Sequence, residues 1–89
     1  MQYGAVVVTF NRQQLLIESI TALMQQTVPP TKIIIIDNHS TDGTRDSLQT
    51  NGILAHPSVD YRYLDQNIGG AGGFARGMQI AQADPNLDW

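Results

Sequence analysis

Asp37 closes a run of four isoleucines, Ile33-Ile34-Ile35-Ile36, and the polar turn Asn38-His39-Ser40-Thr41-Asp42-Gly43 follows it. An unbroken β-branched apolar run reads as a strand buried on both faces, the pattern of a parallel sheet covered by helices. In open α/β sheets ligands bind in the crevice beyond the carboxyl ends of the strands. A carboxylate at that point is an acceptor-only group suited to a fixed N–H donor on a ligand. Two more segments belong to the same chemistry. Thr9-Phe10-Asn11-Arg12 ends an earlier apolar run, and Asn67 to Gly77 holds five glycines. Glycine admits positive φ and close backbone approach, and a helix N-terminus behind such a segment attracts anions. Nucleophilic and metal chemistry find less support. The chain has no cysteine, which excludes thiolate catalysis, disulfides and Cys-ligated zinc and fits a reducing compartment. His39 and His56 are the only histidines, and neither has a partner at metal-ligand spacing.

Strand and helix patterns alternate with short connections. Tyr3–Thr9 reads as a first strand and Gln13–Gln26 as a helix, with Leu16, Ile20, Leu23 and Met24 on one stripe. Pro29-Pro30 stops it. Lys32–Asp37 is the second strand, and Asp42 is an N-cap candidate for a short helix over Thr44–Thr50, with Gly52 as its stop. Val59–Leu64 alternates, which predicts a third strand near an edge. Gly72–Ala83 predicts a third helix with Phe74, Met78 and Ala81 on the core face and Arg76 pointing away. After the turn Asp84-Pro85-Asn86, Leu87-Asp88-Trp89 reads as the opening of a fourth strand, with Trp89 anchoring a core. This is an α/β class chain: three layers around a mostly parallel sheet. Its 89 residues make at most one small domain. A net charge of −3 with scattered basic residues argues against a nucleic-acid partner. No apolar run approaches the roughly 20 residues of a membrane span, and Ala5–Phe10 is too short and lacks the basic lead of a signal peptide.

Three segments in order, Val-Val-Thr-Phe-Asn-Arg at 7–12, Ile-Asp-Asn-His-Ser-Thr-Asp-Gly-Thr at 36–44 and Asn-Ile-Gly-Gly-Ala-Gly-Gly-Phe-Ala-Arg-Gly at 67–77, closely resemble the family 2 glycosyltransferases. The third is most similar to members that transfer galactofuranosyl or rhamnosyl units onto bacterial cell-surface glycans. The resemblance implies the N-terminal, nucleotide-binding portion of a GT-A fold over residues 1–89. It also implies transfer of a sugar from a UDP- or dTDP-linked donor to a glycan or lipid-linked glycan acceptor. By the same resemblance Asp37 accepts the imide N–H of the base. Thr9, Phe10, Asn11 and Arg12 lie along the base and ribose, with Arg12 also positioned for the diphosphate. Asn67, Gly69, Gly70 and Arg76 are further nucleotide or donor-sugar contacts. Asn38, Ser40, Thr41 and Asp42 read as turn and cap residues.

The family also implies a divalent ion, Mg or Mn, bridging the diphosphate. The expected ligands, the catalytic base and the acceptor half lie beyond Trp89, so the chain is expected to stop before the metal-binding motif and to be inactive alone. A cytoplasmic setting is expected, with the intact protein peripheral to the inner face of the membrane. In that fold the first strand is central, so a missing fourth strand leaves Ala5–Val8 with an open edge through which the chain is expected to self-associate. Two other readings stay open. A nucleotidyltransferase would carry a glycine-rich, basic phosphate loop after the first strand, and a phosphoacceptor module would cluster acidic residues there. Gly70 to Ala75 satisfies the loose dinucleotide pattern, yet it follows the third strand and not the first.

Overall fold

Strand ends at one level define the working face of this molecule. The computed structural model describes residues 2–89 as β1 (Gly4–Thr9), α1 (Gln13–Met24), β2 (Lys32–Asp37), α2 (Thr44–Thr50), β3 (Val59–Tyr63) and α3 (Gly69–Ala81). The sheet is parallel throughout, in the order β1-β2-β3. Its register sets Thr9 beside Asp37 and Asp37 beside Tyr63. The lacing continues one residue further: the Asn38 N–H donates to the Thr9 carbonyl at 2.8 Å and the Leu64 N–H to the Asp37 carbonyl at 2.9 Å.

The isoleucine run forms β2 because both of its faces are covered. Ile33 and Ile35 join Leu16, Ile20, Leu48 and Ile53 beneath α1 and α2, while Ile34 and Ile36 meet Ala81 of α3 on the opposite face. Burying an isoleucine side chain contributes about 1.5–3 kcal/mol, so these four residues drive the three-layer arrangement. β3 sits at an edge, as its alternating pattern predicts. Trp89 packs on the α3 face, where its indole N–H donates to the Asp84 carbonyl at 3.2 Å. A Cβ on Gly4 would lie 2.4 Å from its ring, so only glycine fits there.

Several boundaries differ from those the sequence predicts. α1 ends at Met24 and not at Gln26, because the apolar stripe runs out and residues 25–28 are exposed. Leu87–Trp89 forms no full strand. It makes one parallel bridge, Asp88 with Tyr3, on the open side of β1. The larger correction concerns α3, which begins at Gly69, three residues before the predicted start. Its sheet-facing residues are Gly73, Gly77 and Ala81, whereas Phe74 is 53% exposed and Met78 half-buried. The helix backbone lies directly on β1: a Cβ on Gly77 would sit 2.4 Å from Val6 Cγ1, and one on Gly73 2.8 Å from Val8 Cγ1. Hydrophobic spacing assigns the face to the large residues, but close approach assigns it to the small ones.

Candidate functional site

A cleft of about 410 Å³ opens at the carboxyl ends of β1 and β2, between α1 and the start of α3. Thr9, Phe10 and Arg12 form one side, and Asn67, Gly69 and Gly70 form the other. Six of the residues singled out in the sequence thus meet in one place. Phe10 is 44% exposed, leaving its ring available to a flat ligand. Arg12 is exposed and is the one charged residue in the lining. The only charge in this lining is a guanidinium, a group whose fork of donors can pair with an anion.

Asn11 is not in the lining. It adopts φ 49°, which asparagine tolerates better than most residues. Its N–H donates to Ser40 Oγ at 2.9 Å, and its Oδ1 accepts from the Thr41 N–H at 2.7 Å. Asn11 therefore staples the loop after β1 to the loop after β2. Asp42 adds a second staple. Its carboxylate accepts from the Gln13 N–H at 3.3 Å, the Thr44 N–H at 3.2 Å and the Thr44 hydroxyl at 2.5 Å. The predicted capping role is thus met from one residue before the N-cap, which is Gly43 at φ 80°. The Thr44 hydroxyl first, with help from the two backbone donors, holds the Asp42 carboxyl below its ordinary value of 3.8.

Asp37 departs furthest from expectation. Its surface is 0% exposed, and its carboxylate does not line the cleft. Oδ1 accepts from the Ser40 N–H at 2.8 Å and Oδ2 from the Tyr61 hydroxyl at 2.5 Å. Burial, then the hydrogen bond to Asp37, push the Tyr61 hydroxyl far above its ordinary value of 10.0. The carboxylate faces the α1–α2 core and shapes the turn Asn38–Ser40 from beneath. Arg76 is also elsewhere. It lines a second cleft of about 380 Å³ with Arg62, Tyr63 and Asp65, on the far side of the Asn67–Gly70 turn.

Asn38, read from the sequence as a turn residue only, reaches further than that reading. It is 2% exposed, lines the main cleft and joins the loop after β2 to the start of α3. The only sequence signal was its place directly after the strand-end carboxylate. Among the described residues no three His, Cys, Asp or Glu side chains converge in a way that could hold a metal ion. The divalent ion that the resemblance implies has no fitting ligand set in these residues.

Known proteins resemble this chain along most of its length. The family model described as Glycosyl transferase family 2 matches residues 5–87. The galactofuranosyltransferase GlfT1 of Mycobacterium tuberculosis is 41% identical over 86 residues, covering 96% of this chain and 27% of that protein. GlfT1 of Mycolicibacterium smegmatis is 39% identical over 87 residues, covering 96% of this chain and 26% of that protein. The chain thus spans about a quarter of the length of these curated relatives.

Proposed function

The chain belongs to glycosyl transferase family 2, and on that premise we propose that its main cleft holds the nucleotide of an activated sugar. The whole protein, on this reading, transfers a sugar from a UDP- or dTDP-linked donor to a glycan acceptor in cell-surface polysaccharide synthesis. The observation that carries the reading is the convergence of Thr9, Phe10, Arg12, Asn67, Gly69 and Gly70 on one cleft at the strand ends. Phe10 supplies a face on which a base stacks, a contact worth about 1–3 kcal/mol. Arg12 pairs with the phosphates through its fixed fork of donors. The N-terminus of α3 adds peptide dipoles to the same anion. Thr9 and Asn11 set the loop along base and ribose, and Asp37 supports the turn without touching the ligand.

The names of the two relatives favour a galactofuranosyl unit as the sugar transferred. The acceptor, on this reading, is a glycan or lipid-linked glycan. No helix among the described residues is long and apolar enough to cross a membrane. We place the reaction on the cytoplasmic side, peripheral to the membrane, where nucleotide sugars are made. The one-sided pairing of β1 supports association of the isolated chain with itself. Calorimetric titration tests the donor site: UDP and dTDP are expected to bind, and Phe10→Ala to weaken UDP by at least about fivefold. Failure of UDP and dTDP to bind, or binding untouched by Phe10→Ala, would overturn the reading.

A further inference from the structure

We propose that Asn38 is a positioning residue for the donor site: its side-chain amide fixes the Asn67–Gly70 turn, and with it the wall that α3 contributes to the cleft. The inference rests on the reading of that cleft as a nucleotide site.

The turn has little to hold it by itself. Residues 67–71 are exposed, Gly69 sits at φ 80°, and a Cβ added at Gly69 or Gly70 would meet nothing within 4 Å. The helix N-cap, Ile68, offers no side-chain cap. One local bond is present, from the Gly69 N–H to Asn67 Oδ1 at 2.8 Å. The remaining support comes from Asn38, thirty or so residues earlier in the chain, whose Oδ1 accepts the Ile68 N–H at 3.1 Å and whose Nδ2 donates to the Gly69 carbonyl at 2.8 Å. An amide is the one small side chain that supplies a donor and an acceptor side by side for this pair.

Asn38 is itself held rigidly. Its backbone N–H is bonded to Thr9 at the end of β1, and its side chain is buried beneath α3. Gly73 makes the room: a Cβ there would stand 3.1 Å from Asn38 Nδ2. One residue thus connects the ends of β1 and β2 to the first turn of α3, the two sides between which the cleft lies. A buried amide that is fully engaged with the backbone transmits the position of the sheet to the exposed first turn of the helix.

The isosteric variant Asn38→Asp isolates the point. Its carboxylate still accepts from the Ile68 N–H but confronts the Gly69 carbonyl with a second acceptor. Asn38→Ala removes both bonds, and the aspartate variant keeps the test alive should the alanine variant fail to fold. Both would be studied in the 89-residue chain by UDP titration and by amide hydrogen exchange. The expected result is a loss of UDP affinity of about tenfold, the scale of one or two net hydrogen bonds. Faster exchange of the Ile68 amide should accompany it, with Ile34–Ile36 exchanging as in the wild type. Wild-type affinity in Asn38→Asp would overturn the proposal. So would a loss of affinity with Ile68 exchange unchanged, which would make Asn38 a direct ligand contact. If the unaltered chain fails to bind UDP, the nucleotide reading itself falls. Ile68 exchange in the two variants still shows separately whether the clamp exists.

Discussion

A buried carboxylate with two good partners is costly to disturb from either side. Tyr61→Phe leaves Asp37 short of one donor inside the core and is expected to cost about 1–3 kcal/mol in urea unfolding. Asp37→Ala strands both the Ser40 N–H and the Tyr61 hydroxyl, for an expected loss of about 2–5 kcal/mol. If either variant unfolded at the wild-type urea concentration, the anchoring role of Asp37 would be wrong. Arg12 gives the opposite profile. It is exposed and makes no capping bond, so Arg12→Ala should leave the unfolding midpoint in place while weakening UDP binding several-fold. The position of Asp37 at the strand's end was legible from the isoleucine run before it. Its orientation was not, because the partner that claims Oδ2 lies 24 residues away and arrives only through the register of β3. Nothing in the local sequence marks Tyr61 as a core hydroxyl donor.

At the scale of elements, the glycines of the third motif divide into two kinds. Gly73 and Gly77 let α3 lie on β1, and Gly77→Ala is expected to destabilise by about 1–3 kcal/mol because its methyl group meets Val6. Gly70→Ala meets open space and should be neutral or slightly stabilising by thermal melting. Equal melting temperatures for the two variants would refute this division. The glycine-rich character of the segment was plain in the sequence, and so was a helix in it. The buried stripe was misassigned to Phe74 and Met78, since periodicity ranks residues by size and cannot register a helix seated at glycine distance. The loops are joined more by side chains than by packing, and Asp42 links the starts of α1 and α2. Its folded value lies below 3.8, so the stability it supplies is complete above the unfolded value and lost as pH falls through the folded one. The thermal midpoint should therefore hold steady near neutrality and fall below about pH 4, with a shallower fall in Asp42→Asn. An identical acid profile in that variant would remove Asp42 from the account.

For the whole molecule, the sheet is the controlling feature. β2 is covered on both faces and paired on both edges, whereas β1 is paired along one edge and touched on the other only through Asp88. Ala5 to Val8 are accordingly half-buried, where an unbroken apolar run predicts full burial. An apolar strand with open N–H and C=O groups recruits other chains. Sedimentation velocity is expected to show concentration-dependent association, and a single monomeric species at every concentration would contradict it. The order of elements and the three layers were legible because strand and helix periods alternate cleanly. Six residues of the cleft were legible from their places at strand ends and in the glycine-rich segment, whereas the role of Asn38 was not, because its partners Ile68 and Gly69 lie about 30 residues away. Whether that cleft is the nucleotide site is the central claim, and an amide NMR titration of the chain with UDP tests it most directly. Shifts are expected to cluster at Thr9–Arg12, Asn38 and Asn67–Gly70. A spectrum unmoved by UDP, or shifts confined to the Arg62 and Arg76 cleft, would contradict it.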